Sequence, residues 1–209
     1  MTVSAALPPR MLKAKGLASR RGEKLLFRDL DFEVGAGEML LLRGPNGSGK
    51  TTLLLVLAKL LRPESGSCEL MGGADGEGAL HFLGHAAALS NRLSVAENLR
   101  FWSALCGGDA ASLEPTLQTI GLAPIADLEA DLLSAGQRRR LALGRLLCAE
   151  RPLWLLDEPT TALDSAGEQL VSTLIDAHLQ RGGLVVVATH HDIPLRAPSR
   201  VRELRLGAP

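Results

Sequence analysis

The chain has 209 residues, with 23 Lys plus Arg against 23 Asp plus Glu, so its formal net charge is zero. A neutral chain lacks the sequence-independent attraction that holds proteins on nucleic acid, which argues against a DNA- or RNA-binding role. The hydrophobic fraction of 46% and charged fraction of 22% exclude global disorder. Aromatics make up only 3% and there is no Tyr, so the core has to be built from Leu, Val and Ala.

Residues 1–10 read as a loose tail without the apolar stretch of a secretory signal, and Met11 is a second candidate start. The longest apolar runs, Leu53–Ala58 and Leu184–Ala188, fall far short of the ~20 residues that span a bilayer. The expected protein is soluble and intracellular. Cys68, Cys106 and Cys148 are widely spaced and odd in number, which favours buried thiols over a disulfide framework or a zinc site.

Leu12–Leu17 and Leu25–Val34 predict antiparallel strands joined by a polar turn over Ser19–Lys24. Glu38–Arg43 holds a continuous apolar run, as in a strand buried on both faces. Lys50–Leu61 predicts a helix, Ser65–Gly78 a Gly-rich turn region, and Leu80–Leu83 a short strand. From His85 to Glu150 the spacing is helical, with breaks near Gly107–Asp109 and Gly121–Pro124. Leu153–Leu156 and Leu184–Ala188 predict buried strands, Ser165–Gln180 a helix, and Val201–Leu206 an edge strand. Strands alternating with helices imply an α/β fold with a mainly parallel core sheet. The expected organisation is one domain over 1–209. Its core comes from about 11–84 and 150–206, with an antiparallel β subdomain and a helical subdomain over about 85–149.

Gly44, Pro45, Asn46, Gly47, Ser48, Gly49, Lys50 and Thr51 form the pattern GxxxxGK[ST] between a predicted buried strand and a predicted helix. Glycines there let successive backbone N–H groups turn inward onto phosphate oxygens, and the helix N-terminus adds partial positive charge. Lys50 is expected to reach the β- and γ-phosphates of a nucleotide. The Thr51 hydroxyl is expected to hold Mg²⁺, and Thr52 to bond the α-phosphate. Asp157 and Glu158 end the run Leu153–Leu156, at the strand end where open α/β sheets bind ligands. Asp157 suits Mg²⁺ through its water shell, and Glu158 suits a general base that polarises the attacking water.

Leu133-Ser134-Ala135-Gly136-Gln137 resembles the LSGGQ signature of ATP-binding-cassette (ABC) ATPases, with Ala for the first Gly. Ser134 can cap a helix that starts near Gln137 and runs toward Glu150. Thr161–Asp164 resembles the family's D-loop, and Thr189-His190 its switch histidine. The resemblance covers residues 11–206. It implies ATP and Mg²⁺, and a head-to-tail homodimer with two ATPs sandwiched between one subunit's phosphate loop and the other's signature. It further implies that Ser134 and Gly136 act in trans on the γ-phosphate, with Gln137 in the same signature, and that His190 holds Glu158 and the water in place. A separate multi-span membrane subunit would be driven by the closure.

Two positions depart from the family pattern. No aromatic precedes the first strand turn, and Arg21 is the candidate to stack on adenine in its place. His85 stands where the family has the Gln that contacts Mg²⁺ and the attacking water. Gly84-His85, the chain length and the stretch Leu93–Trp102 are similar to the ATPase subunits of bacterial cytochrome c maturation systems, which are haem exporters. That similarity implies the cytoplasmic face of the inner membrane, and further maturation subunits as partners. An ATPase for a lipid, drug or metal, and a non-transport ABC protein, stay open as alternatives. Leu89, Leu93, Val95, Leu99, Phe101 and Trp102 are the candidate docking patch. The run Arg138-Arg139-Arg140 is expected on a solvated or interface face.

Overall fold

Alternation and turn chemistry build the first layer of the protein. In the computed structural model, which describes residues 10–72, 79–195 and 200–207, β1 (Met11–Arg21) and β2 (Lys24–Gly35) pair antiparallel. Arg21 faces Lys24, so Gly22 and Glu23 alone make the turn, and it is shorter than the expected Ser19–Lys24. Both strands outrun their apolar patterns because ladder hydrogen bonds, not side-chain burial, carry their exposed ends. β4 (Ser65–Met71) pairs antiparallel with the other edge of β1, giving the order β2-β1-β4. This corrects the expected turn region over Ser65–Gly78. An edge strand with half-exposed side chains need not show an apolar pattern, and Ser, Gly and Cys here masked it. Residues 73–78 of that expectation lie outside the described residues.

The second layer is a five-stranded sheet in the order β5-β6-β7-β3-β8. Its strands β5 (Leu80–Leu83), β6 (Leu153–Asp157), β7 (Leu184–Ala188), β3 (Glu38–Arg43) and β8 (Arg200–Arg205) are all parallel to their neighbours. Side chains on β3, β6 and β7 alternate between two cores. Leu40, Leu42, Leu155 and Val186 pack with α1 (Lys50–Leu57) and the antiparallel sheet. Met39, Leu41, Trp154 and Val187 pack on the other face with Val171, Leu174, Ile175 and Leu179 of α5 (Ser165–Gln180). With apolar residues needed on both faces, these strands read as unbroken runs in the sequence. Each fully buried side chain contributes roughly 1.5–3 kcal/mol.

α1 stops at Leu57, short of the expected Leu61, where Lys59 enters the left-handed region at φ 59. Leu60 and Leu61 are exposed and hold no further helical turn in place. Between β5 and β6 lie α2 (Val95–Cys106), α3 (Leu113–Thr119) and α4 (Ala135–Gly144) around a third core of Val95, Leu99, Ile120, Leu133 and Leu141. α4 starts at Ala135 and passes into a 3₁₀ turn at Arg145–Leu147, so the expected helix from Gln137 to Glu150 is both earlier and shorter.

The architecture is therefore the expected α/β one, with a parallel core sheet, an antiparallel sheet and a helical layer. Because the core strands run parallel, the segments that follow β3, β6 and β7 all emerge at one edge.

Candidate nucleotide site

The loop after β3 closes on itself for steric reasons. Gly44 has φ 143, and a Cβ there would sit 2.3 Å from Leu206 O. Gly49, the N-cap of α1, has φ 103 with Leu26 and Phe27 against it. No other residue type fits these two positions without strain.

Lys50 opens α1 and is 8% exposed. Its Nζ donates to Gly44 O at 2.7 Å and Pro45 O at 3.2 Å, and lies 3.2 Å from His190 Nε2. None of these partners is a carboxylate, so the buried ammonium is poised for an anion. Thr51 Oγ1 donates to Asp157 Oδ2 at 2.9 Å. Burial pushes the Asp157 carboxyl above the usual range, and the neighbouring Glu158 adds to this. The Thr51 hydroxyl, His85 and Arg139 oppose it.

Glu158 follows β6 in the left-handed region at φ 47, with its N–H donating to Ala188 O at 2.8 Å. Its Oε1 lies 3.8 Å from His190 Nε2, and the same ring nitrogen is 2.9 Å from Asn46 Oδ1. His190 thus stands at the meeting point of Asn46, Lys50 and Glu158. Arg43, at the end of β3, holds the histidine loop by donating to Thr189 O and His191 O and pairing with Asp192.

These groups line a cleft of about 240 Å³ with Arg21, Leu26, Asn46, Gly47, Gly49, Lys50, Thr51, Thr52, His85, Asp157, Glu158 and His190 on its walls. Gly44, Pro45 and Ser48 do not line it. Pro45 and Ser48 face a separate groove beside Lys24–Arg28. Ser134, Gly136 and Gln137 are not on its walls either. Ser134 accepts from Gln137 N at 3.2 Å, while Gln137 Oε1 accepts from Ser134 N at 2.9 Å. This reciprocal capping box uses the Gln137 side chain locally. Gly136 lies against the D-loop, where an added Cβ would be 3.0 Å from Ala162 O.

Two expectations outside the cleft are corrected. Val95 and Leu99 are core, at 0% and 1% exposure, and Trp102 donates to Ala88 O beneath the Arg145 guanidinium. Of the candidate docking patch, Phe101 is exposed, at 54%, joined by Leu105 one turn on. Nor do the three arginines share a solvated face. Arg140 pairs with Asp164, Arg138 bonds Asn91, and Arg139 is buried behind Asp157 and Glu158. Sequence reasoning missed Arg139 because a charge run normally marks a surface. Leu26 was missed because nothing marks a single Leu in a strand.

A family model described as ABC transporter matches residues 27–161, more than half of the chain. With the fold and cleft above, the chain belongs to the ABC transporter family as an ATP-hydrolysing, ATP-binding component. Among its relatives, the "Cytochrome c biogenesis ATP-binding export protein CcmA" of Rhizobium johnstonii is 50% identical over 194 residues, covering 88% of this chain and 90% of that one. The protein of the same name from Bradyrhizobium diazoefficiens is 50% identical over 90% of this chain and 93% of that one. The one from Rhodopseudomonas palustris strain BisB5 is 46% identical over 94% and 98%.

Among solved structures, a dimeric ATP-binding cassette in a post-hydrolysis state bound to ADP and Pi superposes with a TM-score of 0.76. It is 25% identical, covering 86% of this chain and 88% of that one. An ATP-binding subunit of an ABC transporter matches in fold with a TM-score of 0.78 at 24% identity, covering 86% and 79%. As the ATPase of a transporter, the chain works as a dimer with a membrane subunit. Among the described residues no helix is long and apolar enough to cross a membrane itself.

Proposed function

We propose that this chain is the ATP-hydrolysing subunit of a cytochrome c biogenesis exporter that moves haem. It acts at the cytoplasmic face of the bacterial inner membrane on a CcmB-like multi-span subunit, together with other maturation subunits. The convergence of Lys50, the Thr51–Asp157 pair, Glu158 and His190 on one cleft carries the ATPase part of this reading. Identity of 46–50% to proteins named CcmA along nearly the whole chain supports the pathway.

In this reading Lys50 and the backbone N–H groups of the loop over Gly44–Gly49 hold the β- and γ-phosphates, and Thr52 the α-phosphate. Arg21 and Leu26 flank the adenine. Thr51 and Asp157 suit Mg²⁺, which binds through a hydroxyl, a carboxylate and substrate oxygens rather than a protein cage. Bound there, Mg²⁺ would neutralise phosphate charge. His85 lines the same wall and adds a third polar group. Glu158 takes a proton as water attacks the γ-phosphorus and the bond to the β–γ bridging oxygen breaks. His190 contacts the γ-phosphate and keeps the Glu158 carboxylate turned to the water. Ser134 and Gly136 of a second copy close over the same phosphate, which is consistent with their position outside the cleft of their own chain.

The test is biological. Cells whose only copy carries E158Q should lose covalently haem-stained c-type cytochromes while keeping the protein at normal abundance. Normal c-type cytochromes in those cells would contradict the proposal. Co-purification with a multi-span protein identifies the membrane partner.

A further inference from the structure

A guanidinium lies behind the two acidic residues of the cleft, inside the protein. Arg139 is 6% exposed, and no carboxylate oxygen accepts from it. Its Nη2 donates to Asp157 O at 2.8 Å and Glu158 O at 2.7 Å, its Nε to Pro159 O at 3.1 Å, and its Nη1 to Gly84 O at 3.0 Å. A planar fork can serve carbonyls that converge in this way, and no other side chain offers as many fixed donors. Three of these carbonyls belong to consecutive residues, Asp157 to Pro159, where the backbone leaves β6 through the left-handed Glu158. The fourth belongs to the residue before His85.

We infer that Arg139 is a positioning residue for hydrolysis: it fixes the backbone on which Glu158 and His85 stand, and it ties that backbone to the signature helix. The inference rests on the ATPase reading above and extends it to a residue that touches no nucleotide. Arg139 sits on α4, whose N-cap is Ser134. Any shift of α4 when a second copy engages Ser134 is carried by this fork to the carbonyl of Glu158. Without the fork, an unfavourable φ at Glu158 has less to over-determine it, and the carboxylate loses its fixed direction relative to His190. ATP binding depends on Lys50 and the loop after β3, which Arg139 does not touch.

The test compares R139Q and R139K with wild type and E158Q, each below its own unfolding transition. It measures nucleotide affinity by fluorescent-ATP titration, and kcat and KM by phosphate release. R139Q should lower kcat at least tenfold, with KM and nucleotide affinity within about twofold of wild type. R139K, which keeps the charge but not the fork, should fall between them. If R139Q does not fold, R139K decides by the same split. An unchanged kcat, or equal losses of turnover and nucleotide affinity, would overturn the inference. A wild-type protein without turnover at all would instead overturn the ATPase reading on which it rests.

Discussion

At the residue scale, the site is organised around a buried cation whose acceptors are the carbonyls of Gly44 and Pro45 rather than a carboxylate. Replacing Lys50 with Ala removes a charge-assisted contact to phosphate, a class worth roughly 1.5–3 kcal/mol. K50A should therefore bind ATP about 10- to 100-fold more weakly, which an equilibrium titration with nucleotide reads. Lys50, Thr51, Asp157 and Glu158 were legible in the sequence because each chemistry dictates its residue type and its place next to a strand. Arg139 was not, because its four partners are main-chain carbonyls. A side chain that serves backbone atoms leaves no matching residue type to find.

At the element scale, the cap of α4 and the proposed contact with a second copy fall on one residue, Ser134. Ser134 caps the helix reciprocally with Gln137 and is exposed to solvent, free to meet a second copy as proposed. The two roles separate by substitution. S134A loses the cap and should cost about 1 kcal/mol of unfolding free energy. S134D keeps a good cap and should unfold like wild type, but it places a carboxylate where the second subunit's γ-phosphate would sit. Denaturant melts and sedimentation with MgATP distinguish them: S134D should be stable and fail to dimerise. Dimerisation of S134D at wild-type affinity would remove Ser134 from the trans contact.

Elements whose hydrophobic period matches their burial, such as β6, β7 and α5, were readable to within a residue or two. β4 was not, because a half-exposed edge strand gains its place from ladder bonds to β1 that no local pattern encodes.

At the scale of the whole molecule, stability carries a pH signature distant from the cleft. His81 Nε2 donates to Ala149 O at 2.8 Å, and His178 Nε2 donates to Pro152 O at 3.1 Å while stacked 4.0 Å from Trp154. Burial pulls both imidazoles down to about 4, with Arg145 and Arg151 acting on His81 and Arg181 on His178 in the same direction. The unfolded chain binds these protons near pH 6.5, before the folded one does. Their contribution is thus complete above about pH 6.5 and is lost as the pH falls from there toward about 4. At pH 5 the loss is roughly 2 kcal/mol per histidine. Denaturant midpoints should drop between about pH 7 and pH 5, and H178Q should flatten the profile by about half. An equal slope in H178Q would locate the effect elsewhere.

Ser134, Gly136 and Gln137 do not line the cleft of their own chain, so under the proposed function one turnover takes two chains. The most direct test is E158Q with saturating MgATP, followed by sedimentation velocity and phosphate release on the same sample. E158Q should form a nucleotide-loaded dimer of twice the monomer mass that releases almost no phosphate, beside a wild type that turns over. A monomer hydrolysing ATP at the wild-type rate would contradict it.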